Sequence, residues 1–302
     1  MPPALKGRVT ERQNRPWLGI LFMCIACALF PVQNAFVKLL TGIYPFQQVV
    51  WVRLAVHLVL MCVVFLPRNG LGLLRTRSPV QQVICSAGLL GSTLFFFSSA
   101  KYVGVTEAIA ISFVSPLAVT FLAWPLLGER ITFVRLASVV IGFAGVMIVI
   151  RPGSSVFQWA SLMMLASAIF YAVYQIVVRR VSAVDSPATT AFYCALGCTL
   201  ATSFLVPGHW KNPANWGDLA MMVSLGISGG FGHYCVARAF SYAPANLIAP
   251  LNYTQMIGSV AIGYLMFAEI PDVYTWLGSA VIIAAGLLVG WQSRQRSKLK
   301  TG

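Results

Sequence analysis

The sequence predicts an all-α, polytopic membrane protein whose ten transmembrane helices form two inverted five-helix repeats. Two of the three supporting observations are the composition and the apolar pattern. Hydrophobic residues make up 58% of the 302 positions and charged residues only 9%, whereas a soluble domain carries about 25% charged residues. A helix of about 20 apolar residues crosses the hydrocarbon core of a bilayer. The ten predicted spans are residues 17–37, 46–66, 80–99, 104–126, 133–150, 157–178, 188–206, 218–237, 245–267 and 273–291.

An internal repeat is the third observation. Residues 17–66 and 80–150 are echoed, about 140 positions later, by residues 157–207 and 218–291. Each half holds five predicted spans, and because five is odd the second half must lie upside down relative to the first. Inverted pairs of helical repeats are typical of secondary transporters. The matching segments are Ala28-Leu-Phe30 with Ala168-Ile-Phe170, Pro67 with Pro207, and Leu127-Gly-Glu129 with Phe267-Ala-Glu269.

The basic residues predict the orientation in the membrane. Counting spans from the N-terminus places sixteen Lys and Arg residues on one side and four on the other, with Arg53 inside a span. By the positive-inside rule both tails, residues 1–16 and 292–302, are cytoplasmic, and they flank repeats at 17–150 and 157–291. The net charge of +14 is then an orientation signal and a contact with membrane lipid, and no nucleic-acid partner is predicted. The four residues on the outer side are Lys38, Lys101, Arg151 and Lys211.

The seven cysteines all lie within predicted spans. Cys24 and Cys27 have a spacing found in metal and redox sites, but no second pair and no nearby histidine accompanies them. We interpret the cysteines as small apolar packing residues, and the sequence predicts no metal and no cofactor. The first apolar run is too long for a signal-peptide core and shows no small-residue cleavage site, so we expect it to remain as a helix.

Polar side chains inside the spans mark the candidate site, because each of them is costly in hydrocarbon. The first span places Asn34 and Lys38 along one stripe below the kink expected at Pro31. The second span carries Arg53 and His57 at positions i and i+4, hence on one face. This pair either lines a cavity or, alternatively, bonds neighbouring carbonyls as internal packing.

The sixth span has Ser167, Tyr171, Tyr174 and Gln175 on one face. Two tyrosines with an amide give an amphipathic surface that suits a solute with apolar and polar parts. The eighth span adds His233 after a pair of glycines, and Ser98 and Tyr102 lie near the outer end of the third span. The candidate substrate-binding residues are Asn34, Ser98, Tyr102, Ser115, Tyr171, Tyr174, Gln175, His233, Asn252, Tyr253 and Gln255.

The fourth and ninth spans occupy equivalent positions in the repeat, and both contain proline. Corresponding interrupted helices in two halves are the best sequence indication of a midplane substrate site, because their freed backbone groups and helix ends can hold polar groups of a solute. Kinks without a binding role are the alternative. The expected kinks are Pro31, Pro116, Pro244 and Pro250.

The glycine-rich fifth and tenth spans favour a scaffold role. Gly286-x-x-x-Gly290 permits close helix packing, either within a monomer or in a weak homodimer. Acidic residues are absent from the middle of every predicted span, and only Glu107 lies near a helix mouth. The titratable candidates for proton coupling reduce to Glu107, His57 and His233, so facilitated movement and proton antiport both remain open.

Residues 100–132 carry a pattern that resembles the hallmark of the drug/metabolite transporter superfamily, in its EamA-type ten-helix branch. The second copy, from Ala239 to Glu269, is looser and has Gln255 where Pro116 would align. The residues that carry the resemblance are Ala100, Tyr102, Ala108, Ala110, Pro116 and Leu127-Gly-Glu-Arg-Ile-Thr132 in the first copy, and Ala239, Tyr242 and Glu269 in the second.

Within that branch the chain is similar to YddG-type exporters of aromatic and other neutral amino acids. The resemblance implies a bacterial inner-membrane carrier that works by alternating access. It also implies a basket of helices around a central cavity, with spans 1, 3, 4, 6, 8 and 9 as its walls and spans 5 and 10 at the periphery. The positions of Glu129 and Glu269 cap helix ends in the family, which implies a structural role for both.

Three other functions are alternatives to an amino-acid carrier: an enzyme, a channel and a carrier of other metabolites. An integral-membrane enzyme needs clustered His, Asp, Glu or Ser side chains, whereas the three histidines here are scattered. A passive channel needs a continuous polar ring, which the spans do not clearly supply. A carrier of drugs, sugars or nucleotide-type metabolites from the same superfamily remains the alternative. The scarcity of basic residues within the spans argues against phosphate-bearing substrates.

Overall fold

The computed structural model describes residues 16–127, 133–151, 159–181, 184–242 and 249–299, and every regular element in these ranges is helical. The all-α prediction is therefore confirmed for this part of the chain. Two 3-10 helices, Gly70–Leu74 and Ala249–Thr254, follow α2 and precede α10. The α-helices are α1 (Pro16–Ile43), α2 (Phe46–Asn69), α3 (Pro79–Ser99), α4 (Val105–Ser112), α5 (Val114–Leu127), α6 (Phe133–Ile150), α7 (Trp159–Val181), α8 (Pro187–Ser203), α9 (Trp216–Tyr242), α10 (Gln255–Phe267) and α11 (Val273–Leu299).

Five helices, α1, α2, α3, α7 and α9, are long and apolar enough to cross a membrane. Shorter apolar segments lie in α4–α5, α6 and α11. The count of ten spans stays a prediction. The tenth predicted span differs most at its end, because α11 continues to Leu299 instead of stopping at residue 291.

The fourth predicted span is divided into α4 and α5 at Phe113, and Pro116 explains the break. Proline has no N–H for the carbonyl of Ser112, four residues earlier, and its ring crowds that carbonyl. At the end of α4 the Phe113 N–H is shared between the Ile109 carbonyl, at the normal helical spacing, and the Ala110 carbonyl, one residue closer, at 3.1 and 3.3 Å. The ninth predicted span begins, in the described residues, with the 3-10 turn that contains Pro250. Pro244 and Glu129 lie outside the described residues.

Helices of the two halves pack against each other in antiparallel pairs. In the α3–α7 pair, the Ser92 and Ser167 hydroxyls lie 3.1 Å apart. A Cβ added at Gly88 would lie 3.2 Å from the backbone nitrogen of Tyr174. Residue numbers therefore rise along α3 as they fall along α7.

The α1–α9 pair repeats this arrangement with the roles of the halves exchanged. The rings of Phe22 and Tyr242 stack 5.9 Å apart, and those of Phe30 and His233 lie 5.6 Å apart. The first and eighth predicted spans (α1 and α9) are therefore paired in the same antiparallel way as the third and sixth (α3 and α7). This exchange is what two copies of one five-helix unit produce.

Helices at equivalent positions in the two halves also run antiparallel. In the α6–α11 pair, Gly142 lies beside Ala285, whereas Val149 lies beside Gly278. Two further pairs show the same sense. For α2 and α8 the contacts are Trp51 with Ser203, and Leu74, in the 3-10 helix after α2, with Tyr193. For α4 and α10 they are Thr106 with Ser259, and Phe113, just after α4, with Tyr253 of the 3-10 helix before α10.

Asp185, in the connection between α7 and α8, joins two connecting segments on one face of the molecule. Its carboxylate accepts hydrogen bonds from the Arg77 N–H and the Gln82 amide, both at 2.9 Å, and from the Thr76 hydroxyl. Burial acts to raise the pKa of Asp185, but these hydrogen bonds and the charge of Arg77 outweigh burial and hold the pKa below its usual value.

Asp185→Asn is expected to lower the free energy of unfolding at pH 7 by about 1–3 kcal/mol, because buried donors lose a charged acceptor. Since the folded-state pKa is lowered, this stabilisation is present above the unfolded-state pKa of about 3.9 and is lost as the pH falls through the folded-state pKa. Thermal unfolding of the detergent-solubilised protein should therefore separate variant and wild type at pH 7 and not at low pH. Asn212→Ala, which removes an exposed amide from another loop, should show no such dependence on pH. A gap that persisted at low pH would contradict this account.

Candidate functional site

A cavity of about 200 Å³ lies at the junction of the two halves. Both halves contribute its wall, through α1 to α5 on one side and α7, α9 and the start of α10 on the other. The lining residues are Phe30, Gln33, Asn34, Arg53, Leu89, Ser92, Thr93, Phe96, Phe97, Ile109, Ser112, Phe113, Ser115, Pro116, Ser167, Ala168, Tyr171, Gln175, His233, Val236, Asn252 and Gln255.

Aromatic rings form one part of this wall. Tyr171 and His233 lie 6.3 Å apart, centroid to centroid, and Phe30 lies 5.6 Å from His233. Behind Tyr171, the ring of Tyr174 stacks at 5.6 Å with an interplanar angle of 30°. Offset stacking of this kind fixes the ring planes and supports a flat apolar surface. The arrangement can hold the planar part of a small solute.

Arg53 provides a positive charge at the cavity. Its side chain is buried, at 8% exposure. In the amide orientation that hydrogen bonding selects, the Gln33 oxygen accepts from Arg53 Nε at 2.8 Å and from Nη2 at 3.3 Å. The guanidinium also lies 5.5 Å from the centre of the Phe97 ring, a favourable cation–π distance.

Glycines on α9 allow α2 to approach closely enough for this arrangement. A Cβ added at Gly226 would lie 2.8 Å from the Arg53 carbonyl oxygen, and one at Gly229 would lie 3.1 Å from Arg53 Nε. A Cβ at Gly230 would lie 2.7 Å from the His57 ring. Glycine at these three positions therefore leaves room for both side chains of α2.

Hydroxyl and amide groups form the remaining part of the wall. The Gln175 amide donates to the Ser115 hydroxyl at 3.0 Å, which joins α7 to α5 beside Pro116. Asn252, in the 3-10 helix before α10, lies beside Gln255, the first residue of α10, with the Gln255 nitrogen 3.5 Å from the Asn252 oxygen. The cavity wall thus combines aromatic rings with hydroxyl and amide groups.

Many of the sequence-predicted site residues are brought together here. The structure places nine of them in the wall: Asn34, Arg53, Ser115, Pro116, Tyr171, Gln175, His233, Asn252 and Gln255.

Three of the four predicted tyrosines are not in the wall. Tyr174 stacks behind Tyr171, and the other two make different contacts. Tyr253 turns away from the cavity, packs edge-on against Phe113 at 5.1 Å, and occupies the space left by Gly286 on α11. Tyr102 lies at the edge of the molecule with 58% of its surface exposed, and the Lys101 ammonium sits 4.7 Å from its ring centre. Neither ring is part of the cavity wall.

The other predicted residues make contacts outside the wall. Ser98 donates to the Phe95 carbonyl at 3.0 Å, as helical hydroxyls commonly do. Glu107 accepts from the Ser161 hydroxyl at 3.3 Å. His57 packs against Gly230, and its Nε2 atom has no hydrogen-bond partner among the described residues.

The kink residue Pro31 packs against Gly258 of α10 and does not interrupt α1. Lys38 forms an ion pair with Glu269. The same Glu269 carboxylate accepts from the Val105 N–H at 2.9 Å, at the start of α4. A carboxylate at a helix N-terminus satisfies a free N–H group and the helix dipole. Lys38 and Glu269 thus connect α1, α4 and the end of α10.

Sequence reasoning missed several wall residues. Gln33 neighbours the predicted Asn34 but was not singled out, although it makes the closest contact with Arg53. The third span, for which only its outer end was predicted to contribute, supplies Ser92, Thr93 and Phe97. Ser92 and Thr93 are adjacent polar residues inside a mostly apolar span, and this pattern was the sequence signal that could have identified them.

Among the described residues, no three His, Cys, Asp or Glu side chains are grouped as metal ligands would be. Apolar helices of membrane-crossing length, with a partly polar cavity between the two halves, are features of secondary transporters. The sequence profile of the EamA-like transporter family matches residues 17–151 and again residues 158–291. The chain therefore belongs to the EamA-like transporter family, and each half is one copy of its repeat.

Curated relatives are transporters of different small molecules. The chain is 27% identical to a riboflavin transporter of Vibrio cholerae over 68% of this chain and 70% of that protein. It is 29% identical to an S-adenosylmethionine uptake transporter of Rickettsia prowazekii, over 78% of this chain and 80% of that protein. It is 26% identical to the pseudopaline exporter CntI of Pseudomonas aeruginosa, over 88% of this chain and 94% of that protein. These relatives do not single out the YddG-type amino-acid exporters, so that narrower resemblance is not supported.

A solved crystal structure shares the fold. It superposes with a TM-score of 0.65 at 21% identity, over 92% of this chain and 98% of the other. At this identity the likeness concerns the fold alone.

Proposed function

We propose that this chain is a secondary carrier that exports a small amphipathic metabolite, an aromatic or other neutral amino acid, across the bacterial inner membrane by alternating access. The observation that carries the proposal is the central cavity, whose wall is built by both halves and combines aromatic and polar side chains. A site shared between two halves is exposed to alternate sides when one half rocks against the other.

The size of the cavity favours a small substrate. Pockets for drug-sized ligands have volumes of about 300–1,000 Å³, whereas this one measures about 200 Å³. The aromatic surface formed by Tyr171 and His233 favours a planar side chain within that limit. A carrier for another metabolite class is the second candidate, because the relatives named for riboflavin, S-adenosylmethionine and pseudopaline differ in cargo.

The inverted topology is part of the proposal. Antiparallel packing of helices at equivalent positions, such as α6 with α11, supports two copies of opposite orientation. The distribution of Lys and Arg, sixteen on one side and four on the other, supports cytoplasmic tails. These two observations support the membrane topology that the proposed exporter requires.

Counterflow in proteoliposomes tests this function. Vesicles that contain the purified full chain are loaded with unlabelled phenylalanine, and uptake of labelled phenylalanine is measured against vesicles without protein. We expect trans-loading to accelerate uptake, because alternating access exchanges substrate across the membrane. Riboflavin, S-adenosylmethionine, a sugar and a nucleotide serve as competing loads. Exchange with one of these and with no amino acid would overturn the proposed cargo.

A further inference from the structure

Arg53 is a cation inside the cavity for which the described residues supply no counter-ion. The ion pairs among these residues are Lys38 with Glu269 and Arg151 with Asp272, and neither includes Arg53. Every other described lining residue is apolar, aromatic, hydroxyl-bearing, amide-bearing or histidine. The cavity therefore carries a fixed positive charge and no carboxylate in this part of the chain.

A charge in this position is energetically costly. An ion removed from water loses several kcal/mol of effective solvation, which an opposite charge in good geometry can offset. The Gln33 amide and the Phe97 ring give Arg53 partial compensation. Neither partner is negatively charged, and His57 and His233, the titratable groups near it on α2 and α9, cannot become anions at neutral pH.

The free part of the guanidinium is suited to a carboxylate. Arginine has five N–H donors in a rigid fork. Two of them point to the Gln33 oxygen, one from Nε and one from Nη2, which leaves three for a ligand. Bidentate pairing with a carboxylate is the strongest hydrogen-bonded arrangement of this fork. Arg53 also contributes to the cavity surface itself.

The aromatic wall restricts what the carboxylate is attached to. Phe97 lies against Arg53, and Tyr171, His233 and Phe30 line the same cavity. The described lining residues provide carbonyl and hydroxyl oxygens for an ammonium group but no carboxylate to pair with it. Charge in the cavity thus selects the acidic end of a solute and leaves its amino end to neutral acceptors.

We propose that Arg53 anchors the carboxylate of the substrate, so that the recognised class is aromatic carboxylates, with or without an amino group. This inference rests on the proposed carrier function and specifies the chemistry of its binding site. Gln33 is a positioning residue that orients the guanidinium fork. A substrate that lacks the negative charge leaves Arg53 uncompensated and binds weakly.

Binding to the purified full chain tests the inference separately from transport. The thermal unfolding temperature in detergent is measured with phenylalanine, 3-phenylpropionate and phenylalaninamide, since a ligand of the folded state raises it in proportion to RT ln(1 + [L]/Kd). We expect phenylalanine and 3-phenylpropionate to bind at least about 10-fold more tightly than the amide, because the amide has no carboxylate for the guanidinium fork. Equal affinities, or no shift with any of the three, would overturn the inference.

Two variants connect the preference to Arg53. Arg53→Gln should abolish the preference for acid over amide, and Arg53→Lys should retain part of it, because an ammonium keeps the charge and loses the fork. Lys101→Gln removes an exposed cation outside the wall and should leave the preference unchanged. A preference that survives Arg53→Gln would refute the role of Arg53. If Arg53→Gln does not fold, the Arg53→Lys variant tests the proposal. An unchanged preference for acid over amide in that variant would refute carboxylate binding by the guanidinium fork.

The two proposals fail in different ways. Absence of amino-acid counterflow, with acid-selective binding intact, contradicts the proposed transport function and leaves the carboxylate site standing. Counterflow that proceeds equally well with phenylalaninamide contradicts the carboxylate site and leaves the carrier function standing.

Discussion

Gly278→Val is expected to lower the free energy of unfolding by about 2–3 kcal/mol, the upper part of the range of about 1–3 kcal/mol found when side chains are forced into a packed interior. Gly278 lies where α11 meets α6. A Cβ there would lie 2.6 Å from the carbonyl oxygen of Gly145 and close to the Val149 side chain. Since the obstructing atom belongs to the backbone, a side-chain rotation cannot relieve the overlap, and the two helices must separate.

The same substitution at Gly42 provides the matched control. A Cβ at Gly42 would meet no atom within 4 Å. Gly42→Val should therefore leave stability nearly unchanged. Thermal unfolding in detergent measures both variants, and a loss of 2–3 kcal/mol corresponds to a fall of roughly 5 °C for a domain of this size. Similar melting temperatures for the two variants would show that the α6–α11 contact is not the cause.

Tyr171→Ala is expected to reduce phenylalanine exchange about 10-fold while the protein remains folded. Tyr171 lies in the cavity wall, 6.3 Å from His233 and 5.6 Å from the supporting ring of Tyr174. An aromatic pair contributes about 0.5–1.5 kcal/mol beyond burial of area, and about 1.4 kcal/mol corresponds to a factor of ten in affinity. Tyr171→Phe keeps the ring and should retain most of the activity.

Tyr102→Ala is the corresponding control for exchange. The two residues were both predicted from the sequence to bind substrate, yet Tyr102 is 58% exposed and lies outside the wall. We expect its truncation to change the KM for phenylalanine by less than about twofold, because an exposed surface substitution has little effect on free energy. Equal losses for Tyr102→Ala and Tyr171→Ala would place the site at the outer edge and contradict the central cavity.

Much of the fold was predictable because the lipid environment imposes a simple rule on sequence. A long apolar run can satisfy its backbone in hydrocarbon only as a helix. The division of the fourth span follows from Pro116 for the same local reason, the missing N–H group. The extension of α11 to Leu299 was not predicted, because residues beyond the apolar run are polar and their helical state leaves no hydrophobic signal.

The candidate site was predictable only in part. Polar residues inside apolar spans identified Asn34, Gln175 and Asn252, because burying them in lipid is costly. Tyr253 shares the ninth span with Asn252 but packs against Phe113 and Gly286. Its direction depends on how the 3-10 helix that contains it is rotated about its own axis, which neighbouring helices determine.

The sequence by itself determined the class of this protein, through apolar runs of membrane-crossing length that occur in both halves of the chain. These are properties of single segments, and the cost of exposing polar backbone to lipid is enough to establish them. Only the tertiary structure decided which side chains face one another. Arg53 reaches the cavity beside Gln33 because Gly226 and Gly229 allow α9 to lie against α2. Close packing between helices is a property of pairs of surfaces, and it sets the rotation that brings a side chain into or out of the wall.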